Sequence, residues 1–185
     1  MLFKDARELV AGECAAALSR MSDEETERLL ELVDAAEQVF FVGVGRVLLS
    51  LQAICKRFSH LGIRAHYVGE ITEPAMTPRD LLIVGSGSGE SLFPVAIAGK
   101  AKNIGAKIAY IGSNRSSTVA GLADAMVRIP VQTKLAMPDE LRSGQPMTSL
   151  FEQCLLLYGD ILAKMIIERK RINMPDLWMH HANLE

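Results

Sequence analysis

Two rhythms of apolar residues alternate along this chain. Short runs at 39–42, 65–68, 81–84, 108–111 and 126–129 are mostly apolar, which fits strands buried on both faces of a sheet. Between them the apolar positions recur every three or four residues. Leu48, Leu51, Ile54, Cys55 and Phe58 form one such stripe, closed by Gly62, and the segment from about Ser91 to Ile104 forms another. A short helix after Ser117 reaches about Ala123. Strands alternating with helices predict a three-layer α/β/α sandwich with a five-stranded parallel sheet.

The flanks of the sheet read as helical. Leu2, Ala6, Leu9, Val10, Ala17 and Leu18 mark an amphipathic helix over about 2–19. Ser22-Asp23-Glu24-Glu25 matches a capping box and opens a second helix that ends near Glu37. A long helix spans about Thr148 to Arg169 and is apolar nearly all round, so it needs cover on more than one side, as at a subunit interface. Met174-Pro175-Asp176 reads as one more helix start. The region 131–147 breaks the pattern with Pro138, Gly144 and Pro146 and carries Lys134, Asp139, Glu140 and Arg142. A loop of that length in a compact domain is usually functional. One domain is expected, with N-terminal helices (1–37), an α/β core (38–130), an active-site loop (131–147) and C-terminal helices (148–185).

Chemistry concentrates where strands turn into helices. Leu81-Leu82-Ile83-Val84 runs into Gly85-Ser86-Gly87-Ser88-Gly89-Glu90-Ser91 and then into a helix. Helix N-termini present unpaired backbone N–H groups, and the helix dipole favours an anion there. Ser86, Ser88 and Ser91 add hydroxyls to the same volume. No Lys-Ser/Thr follows the glycines and the dinucleotide spacing is absent, so a phosphate monoester fits better than a nucleotide. The competing reading is a flexible Gly/Ser turn with no ligand. Gly43-Val44-Gly45-Arg46 and Ser113-Asn114 occupy equivalent turns, and in parallel sheets ligands sit beyond such strand ends.

Composition narrows the field. A net charge of −2 and the lack of a basic stripe argue against nucleic acid. No apolar run has membrane-spanning length. Cys14, Cys55 and Cys154 are odd in number, far apart in sequence and set in apolar helical patterns, which reads as buried free thiols in a reducing cytoplasm. No Cys/His spacing suggests a metal site.

Gly43-Val44-Gly45-Arg46, Ser59-His60-Leu61-Gly62, Val68-Gly69-Glu70, Ser86 to Ser91, Ser113-Asn114, Ser149-Leu150-Phe151-Glu152 and the ending His181-Ala182-Asn183-Leu184-Glu185 together resemble the 6-phospho-3-hexuloisomerase family, within the sugar isomerase (SIS) group. The serine loop is common to the whole group; the Phe151-Glu152 element and the terminal motif are more specific. The resemblance implies a Rossmann-like fold and a cytoplasmic homotetramer. It also implies interconversion of 3-hexulose 6-phosphate and fructose 6-phosphate, the step after formaldehyde fixation onto ribulose 5-phosphate. One departure stands out: Val47 occupies a position where the family usually has Ser, so the first turn lacks a hydroxyl.

That reaction takes a proton from C2, passes through a 2,3-enediol and returns a proton to C3, and it requires no metal or organic cofactor. Glu152 is the expected carbon base, with the alternative that it is merely an acidic residue in a first helical turn. His60 and His181 are expected to assist at oxygen or in positioning, His181 by reaching a neighbouring subunit. Arg46 is expected to face the phosphate with Ser86, Ser88 and Ser91. Glu90 is expected to shape the loop or bond a sugar hydroxyl, and Ser113 and Asn114 to line the site. Two rival readings remain: another sugar phosphate, such as arabinose 5-phosphate, or a sugar-phosphate sensor without turnover.

Overall fold

The computed structural model describes residues 1–184; Glu185, the last residue of the terminal motif, lies outside the described residues. Five strands, β1 (Val39–Val42), β2 (Ala65–Tyr67), β3 (Leu81–Gly85), β4 (Lys107–Gly112) and β5 (Ala125–Arg128), form one sheet in the order β2-β1-β3-β4-β5. All four pairings are parallel. Every residue of β1 and β3 is buried, which is why their sequences show apolar runs instead of alternation.

Successive side chains on a strand still point to opposite faces, and each face has its own core. Phe41, Leu81, Ile83, Ala109 and Ile111 meet α2 (Asp23–Ala35), α3 (Gly45–His60) and α6 (Ser149–Lys170). Phe40, Leu82, Val84, Ile108 and Tyr110 meet α4 (Leu92–Ile104) and α5 (Thr118–Leu122). The first helix, α1 (Phe3–Leu18), packs on α6 outside the sheet. Helix α6 passes close to α3 because residue 159 is glycine; a Cβ there would stand 2.2 Å from Ile54.

Some expectations change. Ser22 does accept from the Glu25 backbone N–H, but the Glu25 side chain does not complete a capping box. It bonds the Arg128 backbone N–H at 2.8 Å and the Arg115 guanidinium at 2.6 Å, tying α2 to the sheet. The terminal helix start gives a 3-10 turn, Met174–His180, which packs on α3. The three cysteines are free and buried, yet Cys14 and Cys154 are not isolated from each other; they are near enough to hydrogen bond. Burial pushes the Cys55 and Cys154 thiols up to about 12, so they are poor nucleophiles. Among the described residues no helix is long and apolar enough to cross a membrane.

The strand order reverses between β1 and β3, whose C-terminal ends lie side by side. A crevice must open where their following chains diverge to opposite faces. The first glycine turn and the serine loop both emerge there.

Candidate active site

A cleft of about 250 Å³ occupies this switch point. Its walls include Val44 to Val47 from the β1–α3 turn, Gly85 to Ser88 and Ser91 from the β3–α4 loop, and Phe151 and Glu152 from α6. Thr133 and Lys134 of the long loop and Thr148, the N-cap residue of α6, complete it. Four segments thus converge on one volume.

The serine loop is held in shape from within and from behind. Gly89 donates its N–H to Ser86 Oγ at 3.1 Å, and the Glu90 N–H donates to Ser88 Oγ at 3.3 Å. Gly89 sits at φ +67° with Ser117 and Tyr110 directly against it, so no side chain fits there. The buried Tyr110 hydroxyl donates to the Ser86 carbonyl at 2.9 Å, and burial raises its pKa to about 12, keeping it a donor. Ser91 is the N-cap residue of α4, and its hydroxyl makes no cap bond.

Ser113 and Asn114, expected to line the site, brace the loop instead, and Glu90 takes the first of its two expected roles, shaping the loop. Ser113 donates its backbone N–H to the Gly87 carbonyl at 3.0 Å, and the Asn114 side-chain amide donates to the Ser88 carbonyl at 3.2 Å. Glu90 accepts from the backbone N–H and the hydroxyl of Thr118, both at 2.8 Å. Those two donations, with a smaller contribution from the Lys134 charge, lower the Glu90 pKa and fix it as an anion turned towards α5.

Opposite the serines, Glu152 lies buried in the first turn of α6. Thr148 donates its hydroxyl to one carboxylate oxygen at 3.0 Å. Arg46 places Nε 2.9 Å from the other, and its Nη1 donates to Ser149 at 3.3 Å. Arg46 therefore faces the carboxylate and not the serine loop as expected. Phe151 is wholly buried beneath Gly87, and Val47 wedges between Gly43 and Gly85, making the floor apolar.

His60 and His181 are not in this cleft. His60 ends α3, 14 residues after Arg46, or about 21 Å along the helix axis. The two imidazoles stack with centroids 5.1 Å apart, and Trp178 lies against His181. They border a separate cavity of about 470 Å³ with Arg57, Asp160 and Lys164. Among the described residues no group of His, Cys, Asp or Glu is arranged to hold a metal ion. Thr133, Lys134 and Thr148 were missed in the sequence; the only signal was that they bracket a loop of unusual length.

A doubly wound sheet with a donor-rich loop and a buried carboxylate across one switch-point cleft defines an α/β domain whose polar cleft suits a small anionic ligand. The chain belongs to the SIS domain family, whose pattern matches residues 31–159. It is 37% identical to the 3-hexulose-6-phosphate isomerase of Bacillus subtilis (strain 168) over 165 residues, 89% of each chain. It is 36% identical to that of Mycobacterium gastri over 177 residues, 96% of this chain and 88% of the relative. A crystal structure from Methanococcus jannaschii, inferred to have 3-hexulose-6-phosphate isomerase function, superposes with a TM-score of 0.83 at 27% identity, covering 98% of this chain and 99% of that one.

Proposed function

We propose that this protein interconverts D-arabino-hex-3-ulose 6-phosphate and D-fructose 6-phosphate through a 2,3-enediol. The observation that carries this reading is the buried Glu152 carboxylate bordering the same cleft as Ser86, Ser88 and Ser91. The serine hydroxyls and loop amides receive the phosphate, while the sugar carbons extend over the Phe151 and Val47 floor towards Glu152. Glu152 takes the C2 proton and returns one to C3. Thr148 holds one of its oxygens in place, and Arg46, already beside the other, offsets charge that develops on O2 and O3.

The oxygens also need a proton carrier, and one protomer does not bring His60 or His181 to Glu152. The active form in this reading is a homotetramer in which a partner copy's histidines complete the site. Exposed apolar side chains support it. Leu92 (87% exposed) and Met147 (94%) adjoin in sequence the cleft-lining Ser91 and Thr148, and Leu156, Leu157 and Ile161 leave an uncovered stripe on α6. Buried, weakly acidic thiols suit the reducing cytoplasm in which such a step would run.

The test is a panel of sugar phosphates run on wild type and Glu152→Gln. The wild type should show its highest kcat/KM on the hexulose and fructose 6-phosphate pair. The variant should fold and assemble but lose at least about 100-fold in kcat. A pentose phosphate as best substrate, or a variant of near wild-type rate, would refute the assignment.

A further inference from the structure

We propose that Lys134 is the cation that receives the substrate's phosphate, and that buried Glu140 is the residue that positions it. The first half rests on charge. A sugar phosphate is a dianion, and the serine loop offers it only neutral donors. Two cationic side chains border the cleft, Arg46 and Lys134. Arg46 is committed to Glu152 and Ser149. Lys134 has no ion-pair partner within 4 Å among the described residues, and it stands on the serine-loop side, where its charge reaches Glu90.

The second half rests on how the loop is built. Residues 131–141 leave the sheet and return on themselves: Val131 bridges Leu141, and the Leu141 N–H donates to the Pro130 carbonyl at 2.8 Å. Inside this excursion Glu140 is 6% exposed. Its carboxylate accepts from the Thr133 N–H at 3.1 Å, the Thr133 hydroxyl at 3.0 Å and the Met137 N–H at 2.9 Å. Thr133 is thereby pressed against the serine loop, its methyl 3.1 Å from where a Cβ on Gly87 would stand. The next residue is Lys134. A buried carboxylate spent on three local donors, in a segment otherwise exposed from 134 to 139, is a clamp on Thr133-Lys134.

The inference rests on the reading of this cleft as a sugar-phosphate site, so the experiment separates the two. Wild type, Lys134→Gln, Lys134→Arg, Glu140→Gln and the Lys134→Gln/Glu140→Gln double variant are assayed with fructose 6-phosphate. Inorganic phosphate serves as a second probe, read as a shift in Tm. Lys134→Gln should raise KM roughly 10- to 100-fold, the cost of losing a charge-assisted bond, with kcat within about twofold. Lys134→Arg should restore most of the affinity. Glu140→Gln should raise KM by a smaller factor on the wild-type background and add nothing on the Lys134→Gln background, which a purely structural role for Glu140 would not produce. Phosphate should raise the Tm of wild type more than that of Lys134→Gln. An unchanged KM in Lys134→Gln, or a fall in kcat alone, overturns the Lys134 assignment; additive Glu140 and Lys134 effects overturn the clamp. A wild type inert to fructose 6-phosphate but stabilised by phosphate in a Lys134-dependent manner would sink the isomerase reading and leave this one standing.

Discussion

Glu152 is useful as a base only if its carboxylate is held at one orientation, and Thr148 is the residue placed to do so. Thr148→Ala should lower kcat several-fold with little change in KM, and Thr148→Ser, which keeps the hydroxyl, should restore it; a change confined to KM would contradict this role. Val47 poses a separate test. Its side chain fills the space between Gly43 and Gly85, so the first turn offers backbone but no hydroxyl. Val47→Ser should lower KM for the sugar phosphate about tenfold if the added hydroxyl reaches the ligand. At this scale the sequence was informative where the element fixes the side chain. Ser86, Ser88, Ser91 and Glu152 could be placed beside one another because a strand end and a helix first turn dictate their surroundings. Ser113 and Asn114 could not. Turn composition places them near the sheet end without saying that they bond the back of the serine loop. The pairing of Arg46 with Glu152 was hidden for a related reason: the two lie 106 residues apart.

At the scale of elements, the loop 131–147 shapes the site and is anchored twice, by Glu140 within and by Glu13 from α1. Glu13 accepts from the Ser143 hydroxyl at 2.6 Å, the Gly144 N–H at 2.7 Å and the Gln145 amide at 3.0 Å. Burial alone would raise its carboxyl, yet the three donations carry it below the ordinary value. The sign follows: a depressed carboxylate contributes stability above the unfolded pKa, about 4.3, and loses it as pH falls through the lower folded value. The tether therefore holds throughout the neutral range and releases only in acid. Glu13→Gln should loosen it at neutral pH, seen as faster proteolytic cleavage within 141–147; cleavage at the wild-type rate would show that the tether is dispensable. Tyr110→Phe should leave the Ser86 carbonyl without its buried donor and cost about 1–3 kcal/mol of stability. All five strands could be placed from apolar runs to within one or two residues, because burial on both faces writes itself into the sequence. Their order could not, since periodicity carries no information about which strand pairs with which. The shape of the long loop was equally hidden, being set by Glu13 and Glu140 and not by its own propensities.

At the scale of the whole molecule, the two groups of candidate catalytic residues lie apart within one copy. Glu152 borders one cavity and the stacked pair His60 and His181 another. If a partner's histidine serves each cleft, Glu152→Gln and His181→Ala should each be nearly inactive alone. Refolding them together should create mixed oligomers in which some clefts hold both intact residues, and activity should return to a measurable fraction of wild type. An active His181→Ala would place this histidine outside the reaction, and mixtures as inactive as either parent would show that it does not serve a partner's cleft.

In the proposed reaction the Glu152 carboxylate moves a carbon-bound proton on a sugar phosphate. Incubating the protein with fructose 6-phosphate in heavy water, and following the carbon-bound positions by NMR, tests it most directly. Conversion towards the 3-hexulose phosphate is expected, with solvent deuterium appearing at C2 and C3, in wild type but not in Glu152→Gln. Saturable binding with neither conversion nor deuterium uptake would contradict it.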